Sequence, residues 1–455
     1  MEQRTSPNTH NLGYILLITL VAAGGGFLFG YDTAVVSGAI GFLTKHFQLS
    51  ANLTGWAASS LVGGCAVGAM VGGAAGDRFG RKTCLLGCAV LIAASSILSA
   101  TPASLGPFTW ARFAGGIGIG TASMLSPLYI AEAAPEKIRG RLVALYQLAI
   151  VIGMLIVFFV NLQIQRLGNE EWNLNAGWRW MFASLALPSV LFGVLLCFVP
   201  ESPRWLMKAG RRDEAARVLE RIGGAENARR EIAEIDATLR EEEGRWSELF
   251  TTGYLRALIV GTLLAVFSQT AGINAVLYYA PEIFKAAGSG TDAAFVESVL
   301  LGVMNLGVTF VAIWLVDKAG RKPLLLAGTM VQIGALVFVG LMYQYGGGAI
   351  PLLVGILLFV GAYNVSTGPI TWIFNSEIFP TKLRARAMSV AIICLWFADW
   401  VVTQTFPMLR DSVGPAKTFW VYAASSCLCL IYILTLVPET KGRTLEEIEA
   451  GWKRR

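Results

Sequence analysis

Three charged motifs from the first half of the chain recur, in the same order, in the second half. Each copy returns about 240 residues later and stands beside a long apolar run, which indicates a duplicated membrane unit. Two parallel halves with a binding site between them, near the middle of the bilayer, are typical of transporters. The three motif pairs are 77–81 with 317–321, 132–139 with 377–384, and 200–202 with 438–440.

Composition indicates that most of the chain lies in a membrane. It is 55% hydrophobic and 15% charged with 50 glycines, whereas a soluble domain carries about 25% charged residues. Runs of about 20 apolar residues are long enough to span a bilayer. Six such spans precede a polar stretch at 203–250 and six follow it. They cover 13–43, 54–76, 83–101, 106–131, 140–163, 178–199, 254–284, 293–316, 323–344, 350–377, 384–409 and 416–437.

We therefore predict an all-α membrane protein with twelve transmembrane helices in two six-helix halves. The halves are expected at 1–202 and 251–440, with short amphipathic cytoplasmic helices at 203–250 and a tail at 441–455. Most of the 36 Lys and Arg residues fall at the ends of the chain, in even-numbered loops and in the central stretch. By the positive-inside rule both termini are cytoplasmic, in a multi-pass protein of a cell membrane, expected to be a bacterial inner membrane.

The charge pattern also bounds the partners. The net charge of +6 is attributed to topology and to contact with anionic lipid, not to nucleic acid. The seven cysteines lack metal-ligand spacing and are interpreted as small core residues. The sequence has no Walker loop, so ATP is not expected to drive it directly. Neither a cofactor nor a metal is predicted.

Several motifs together identify a family. They are the repeated loops at 76–82 and 316–322, Gly30 to Thr33, Gln269 with Asn274, Gly368-Pro369 with Trp372, and the segments 200–204 and 438–442. As a set they resemble the sugar porter family of the major facilitator superfamily, and within it the bacterial proton symporters of xylose, galactose and arabinose. The resemblance implies the major facilitator fold, alternating access, and transport of a monosaccharide or a related neutral polyol.

Three ionisable residues deep in spans are functional candidates, because a charge at that depth costs several kcal/mol. They are Asp32, Arg112 and Asp399. Asp32 and Arg112 match the proton-coupling pair of the family's symporters. A nearby arginine favours an ionised carboxylate, so a movement of Arg112 would change the proton affinity of Asp32. A static structural ion pair is the alternative.

A sugar site needs amides that hydrogen-bond hydroxyls, and aromatic faces that pack on the C–H surface of the ring. Gln269 and Asn274 are five residues apart, and Gly272 between them predicts a local break that could present both to one cavity. For any single amide, helix packing is the alternative. The substrate-binding candidates are Phe29, Gln147, Gln269, Asn274, Tyr278, Asn305, Trp372, Trp396 and Asp399.

The candidate site departs from the family pattern at five positions. At three positions where the xylose and galactose symporters carry amides, this chain has Met154, Ser268 and Leu395. Thr367 stands where they carry a tryptophan before Gly-Pro, and Asp399 stands in place of an Asn or similar residue. Asp399 is either structural or in contact with substrate. We predict that it faces the cavity rather than lipid, and that the substrate is neutral.

The repeated motifs predict a cytoplasmic gate of acids and bases. Partly exposed ion pairs are specific but individually modest, as a gate that closes and reopens requires. In the family such pairs join the two halves when the inside is shut, and topogenic charge alone is the alternative. The gate candidates are Asp77, Arg81, Glu132, Arg139, Glu201, Arg204, Asp317, Arg321, Glu377, Arg384 and Glu439.

The leading functional hypothesis is a proton-coupled symporter for a neutral monosaccharide or polyol, working as a monomer. An uncoupled facilitator would share the fold but normally lacks a carboxylate at position 32. A non-transporting sensor would be expected to carry a long tail, and an enzyme would need a nucleophile–base or metal set, whereas the spans contain no catalytic histidine.

Overall fold

The computed structural model is a bundle of long helices, and it describes residues 11–135, 138–240, 246–379 and 382–441. Within these ranges, twelve helical segments are long and apolar enough to cross a membrane. The all-α prediction and the number of spans are therefore confirmed. We number the segments as spans 1 to 12.

Spans 1 to 6 precede the polar stretch. They are Leu12–His46, Ala51–Phe79, Arg81–Ala100, Leu105–Ala133, Arg139–Arg166 and Glu170–Cys197. Span 6 is not uniform, because a π-helical turn at Asn173–Gly177 and a break after Ser184 divide it.

Spans 7 to 12 follow the polar stretch, and spans 7 and 10 are each interrupted. Span 7 comprises Thr252–Thr270 and Ile273–Tyr278, and continues as Ala280–Ala286. Span 10 comprises Ala349–Val365 and Thr367–Ile378. The remaining four are Thr291–Ala319, Arg321–Tyr345, Arg384–Val413 and Pro415–Thr435.

The turn between the second and third helix of each half has the same geometry. Gly80 joins spans 2 and 3 with φ +97°, and Gly320 joins spans 8 and 9 with φ +90°. Only glycine adopts this region without steric cost. The repeated Asp-x-x-Gly-Arg motif thus specifies one sharp turn twice.

The polar stretch forms helices at one end of the bundle. They are Pro203–Lys208, Arg212–Arg240 and a 3₁₀ turn at Trp246–Phe250. The second contains a kink at Gly224, where φ is +81°. The N–H of Asn11 donates to the carbonyl of Ile222 at 2.9 Å, so the start of span 1 lies at the same end. We call this end the linker face and the other end the opposite face.

Glycines let spans 2 and 4 pack with their backbones almost in contact. A Cβ atom at Gly64 would lie 2.1 Å from the carbonyl oxygen of Phe113, and one at Gly120 would lie 2.1 Å from that of Cys65. Small residues spaced by four are how membrane helices approach closely in the absence of a hydrophobic driving force. This packing fixes span 4, which carries Arg112.

Candidate substrate and proton site

The two candidates for proton coupling form an ion pair in the first half. Arg112 Nη1 of span 4 lies 2.5 Å from Asp32 Oδ1 of span 1, and each side chain is 1% exposed. The guanidinium carbon lies 5.0 Å from the ring centroid of Phe182, a distance at which a cation is attracted to the aromatic face. The sequence prediction that these two residues act as a pair is consistent with this geometry.

The pair is incompletely satisfied. Asp32 Oδ2 and Arg112 Nε have no hydrogen-bond partner among the described residues, so the contact is a single strong bond and not a bidentate fork. Buried ion pairs gain most when every remaining donor and acceptor is also bonded. Asp32 Oδ2 and Arg112 Nε are therefore left without the bonds that would complete the pair.

The break in span 7 brings its two amides together, as predicted. The first helix ends at Thr270, Gly272 has φ +88°, and a new helix begins at Ile273. Asn274 Nδ2 then donates to Gln269 Oε1 at 2.8 Å. Gln269 Nε2 donates to Ser268 Oγ at 3.2 Å. The unwound turn therefore presents a short row of polar groups inside the bundle.

Aromatic candidates surround these amides from both halves. Phe29 of span 1 and Trp396 of span 11 meet edge to face, with ring centroids 5.7 Å apart. Tyr278 is buried, and its hydroxyl faces Thr33 of the first half. Trp372 of span 10 is 44% exposed, so its indole is open to a bound molecule.

Two further amide candidates differ in accessibility. Gln147 of span 5 is exposed. Asn305 of span 8 is buried, and its Nδ2 lies 3.7 Å from the sulfur of Met154 across the boundary between the halves. Met154 stands where the family carries an amide. The neighbour of Asn305, an amide that this chain retains, is therefore a residue that departs from the family pattern. Asn305 Oδ1 has no partner among the described residues.

Asp399 lies in span 11 and points towards span 7. It is 1% exposed, Thr403 Oγ1 donates to its Oδ1 at 3.1 Å, and its Oδ2 has no hydrogen-bond partner among the described residues. Asn274 and Tyr278 face the same carboxyl group. Asp399 is therefore buried within the bundle, and its position facing a substrate cavity stays a prediction.

The surroundings of Thr367 and Leu395 show what these two other departures from the family pattern do in the structure. Thr367 Oγ1 accepts a hydrogen bond from Gln332 Nε2 at 2.8 Å, directly after the break in span 10. Leu395 lines a small enclosed cavity beside Trp372 and Asn375. Thr367 therefore supports the break in the helix, and Leu395 makes an apolar wall where an amide would have been polar.

The three repeated motifs of the first half meet at Arg81 on the linker face. Arg81 donates from Nε and Nη2 to Glu132 at 2.9 and 2.8 Å, and from Nη1 to Asp77 at 2.9 Å. Glu201 Oε1 accepts from the backbone N–H groups of Arg81 and Lys82 at 2.9 and 3.0 Å. This network ties the ends of spans 2, 3, 4 and 6 together.

The second half repeats the arrangement with fewer bonds. Arg321 Nη2 donates to Glu377 at 2.7 Å, and Thr440 Oγ1 donates to the same carboxylate at 2.6 Å. Glu439 accepts from the backbone N–H groups of Arg321 and Lys322 at 3.2 and 3.0 Å. Burial alone would raise the pKa of Glu439, but these donors hold it below its usual value. The side chain of Asp317 lies outside the described residues.

The gate prediction needs one correction. We expected Glu132 and Glu201 to form one charged set with Arg139 and Arg204, but these arginines are exposed and make no ion pair with any residue that the structure describes. Arg81 takes their place because the glycine turn brings it back over span 4. Arg384, the counterpart of Arg139, is half-buried. The resolved networks join helices of one half, not the two halves to each other.

The two halves are joined at the opposite face. Arg166 of span 5 makes two bonds to Asp292 of span 8, at 2.6 and 2.8 Å. Gln404 of span 11 donates to Asn52 Oδ1 at 2.9 Å and accepts from Ser59 at 2.8 Å, both in span 2. These contacts hold the two halves together at the opposite face.

Comparison with known proteins identifies relatives over the whole chain. The family model described as "Sugar (and other) transporter" matches residues 18–452. The arabinose-proton symporter of Bacillus subtilis is 46% identical over 446 residues, covering 98% of this chain and 96% of that protein. The D-xylose-proton symporter of Escherichia coli is 41% identical over 476 residues, covering 98% and 97%.

Solved structures agree in fold and differ in conformation. The xylose transporter of E. coli in an inward-open conformation matches with a TM-score of 0.88 at 39% identity, covering 96% of this chain and all of the other. The proton:xylose symporter bound to 6-bromo-6-deoxy-D-glucose matches with a TM-score of 0.79 at 40% identity, covering 97% of this chain and all of the other. The fold, the repeated motifs and the relatives together place this chain in the sugar porter family of the major facilitator superfamily.

Proposed function

We propose that this protein is a proton-coupled symporter that moves a neutral monosaccharide across the membrane by alternating access. The observation that carries the proposal is the buried Asp32–Arg112 ion pair in the first half, together with the bonded amides of Gln269 and Asn274 at the break in span 7. Both reported relatives are named as proton symporters, so the uncoupled facilitator is not favoured. Members of this family are transporters, and the proposed cycle requires no catalytic step in the protein.

The ion pair supplies the coupling. In the form described, Arg112 pairs with Asp32. A proton on Asp32 removes the charge that holds the guanidinium, so Arg112 is released to other partners. Protonation of Asp32 therefore stabilises the conformation in which the pair is separated, and that conformation in turn favours protonation. A ligand shifts a conformational equilibrium only if it binds the two states with different affinity, and the proton does so here.

The substrate candidates line the cavity from both halves. Gln269, Asn274 and Trp372 would contact the sugar from the second half, and Phe29 and Gln147 from the first. Met154 and Leu395 leave fewer polar partners than the family's symporters offer, which favours a sugar with few hydroxyls. A pentose is the first candidate, since the reported relatives are named for arabinose and xylose.

We further propose that the linker face is cytoplasmic, with both termini on that side, so that the described form is open to the inside. The charge distribution supports this orientation. Rocking of residues 1–202 against 251–440 would close the linker face. The exposed Arg139 and Arg204 would then be available to pair across the gap. We propose that one chain is the working unit and that its basic loops contact anionic lipid.

Transport by purified protein in liposomes tests the proposal. Radiolabelled L-arabinose, D-xylose, D-galactose and myo-inositol are offered with and without an inward proton gradient. We expect at least one of them to accumulate above its external concentration only with the gradient, and to leak out after a protonophore is added. Asp411→Asn, at a carboxylate paired with Arg410 on the opposite face, is the matched control and should transport normally. Equal uptake with and without the gradient would refute coupling.

A further inference from the structure

Asp399 is a second deeply buried carboxyl group, and the coupling mechanism does not use it. It lies one helical turn beyond Trp396 in span 11 and is 1% exposed. One oxygen accepts from Thr403 at 3.1 Å. The other oxygen is buried without a hydrogen-bond partner among the described residues.

Among the described residues, no counter-ion faces Asp399. The titratable groups that face it are Cys65 from span 2, Tyr278 from span 7 and Tyr363 from span 10. The amide of Asn274 and the hydroxyl of Thr403 complete the set. No lysine, arginine or histidine acts on Asp399 within the described part of the chain. The nearby cation of the first half, Arg112, is bonded to Asp32.

An ionised carboxylate in this place would be strongly unfavourable. Burying an unpaired charge costs several kcal/mol, and such a group takes up a proton instead. A protonated carboxyl has one donor and one good acceptor. Oδ1 already accepts from Thr403, which leaves Oδ2 to carry the proton. A neutral Asp399 then presents a donor beside an acceptor, as an asparagine does at the same point.

We propose that Asp399 stays a neutral carboxylic acid throughout the transport cycle and donates its O–H to a hydroxyl group of the bound sugar. This inference rests on the proposed function for its ligand, but the protonation state can be measured without one. It makes Asp399 a specificity-determining residue and not a second coupling site. Ionisation at alkaline pH would remove the donor and place a negative charge against the sugar, so sugar affinity should fall as pH rises.

Infrared spectroscopy of the purified protein tests the protonation state without any sugar. At neutral pH, subtraction of the Asp399→Asn spectrum from that of the wild type should leave the C=O band of a protonated carboxyl group. The same difference band should appear when both proteins also carry Asp32→Asn, which excludes Asp32 as its source. Identical spectra in this region, with both proteins folded, would overturn the proposal even if transport works as proposed.

Sugar binding across pH tests the role. With L-arabinose and D-xylose as probes, wild-type affinity should fall at least tenfold over the alkaline range, and Asp32→Asn should retain this loss. Asp399→Asn keeps a donor and cannot ionise, so its affinity should stay flat over the same range. An alkaline loss of equal size in Asp399→Asn would overturn the role of Asp399.

The charge moved per sugar distinguishes a proton that stays on Asp399 from one that is transported with the sugar. Sugar-induced current divided by sugar uptake should give the same charge per sugar in the wild type and in Asp399→Asn. A charge per sugar that falls by one in the variant would make Asp399 a second coupling site and overturn the proposal. If no probe binds to the wild type, the proposed substrate class is wrong, while the infrared result still decides the protonation state.

Discussion

Asp32 and Asp399 are equally buried carboxyl groups, one in each half, and they differ in what surrounds them. Both are 1% exposed and both have an oxygen without a partner among the described residues. Asp32 has Arg112 at 2.5 Å, whereas the neighbours of Asp399 within the described part of the chain are hydroxyl, amide and thiol groups. A partner that can separate from Asp32 makes its proton affinity depend on conformation, whereas Asp399 has no such partner. The same residue type is therefore suited to coupling in one half and to recognition in the other.

The linker-face networks show a similar asymmetry. Arg81 is 7% exposed and bonded to two carboxylates, whereas Arg321 is 16% exposed and bonded to one carboxylate within the described part of the chain. Duplication has preserved the turn and the acid that accepts from its backbone in both halves. Within the described residues, Glu132 accepts two bonds from Arg81, whereas Glu377 accepts one from Arg321.

The largest expected effect is at Asp32. Asp32→Asn keeps the shape and a hydrogen-bonding group but cannot titrate, so uphill accumulation should be abolished while binding and exchange persist. Counterflow and gradient-driven uptake in the same liposomes distinguish the two activities. Concentrative uptake by the variant would contradict the coupling role, and Asp399→Asn should keep concentrative uptake.

Removing the arginine should make Asp32 resemble Asp399. Arg112→Met leaves a buried carboxylate without its cation, which destabilises proteins by about 3–5 kcal/mol unless the group takes up a proton. We expect a thermally destabilised protein that recovers at low pH, and whose stability Asp32→Asn restores in the double variant. If Arg112→Met lowers stability equally at all pH values, the loss comes from packing against Phe182 and not from the charge.

The amides and the indole on the second-half side of the cavity should carry binding. Gln269→Ala and Trp372→Ala should each weaken sugar binding, with a lost hydrogen bond to a buried hydroxyl costing about 1–3 kcal/mol. Calorimetric titration with the transported sugar measures this. Asn175→Ala, at an exposed amide of span 6, is the control and should bind normally. Unchanged affinity in both variants would mean that the sugar binds elsewhere in the protein.

Much of this arrangement could be predicted from the sequence because it depends on local geometry. Gly272 predicted the break that brings Asn274 against Gln269, and the apolar runs left a loop at each copy of the repeated motif, where the turns at Gly80 and Gly320 lie. Partner choice could not be predicted, because it depends on distances between helices. Glu132 is bonded to Arg81, 51 positions away, and not to Arg139, seven positions away. The lack of a cation near Asp399 is also a property of the packing.

The linker-face asymmetry predicts unequal effects of matched substitutions. Glu132→Gln removes a negative charge that accepts two bonds from a nearly buried arginine, whereas Glu377→Gln removes one that accepts a single bond from a more exposed arginine. We expect Glu132→Gln to slow transport more, and to change the labelling of single cavity cysteines from the two sides more. Equal effects would show that the difference between the halves has no consequence for gating. Normal transport and labelling in both would leave these acids a topogenic role only.

The smallest expected effect bears most directly on the state of Asp399. Thr403 Oγ1 donates to Asp399 Oδ1, and the strength of that bond depends on the charge of the acceptor. A hydrogen bond to a neutral group contributes about 0.5–1.5 kcal/mol, and one to a charged group about 1.5–3 kcal/mol. A double-mutant cycle of Thr403→Val and Asp399→Leu, read from unfolding in mixed micelles, isolates the pair. A coupling energy in the lower range agrees with a carboxylic acid. A value in the upper range at neutral pH, falling as pH is lowered, would mean that the second half also carries a buried charge.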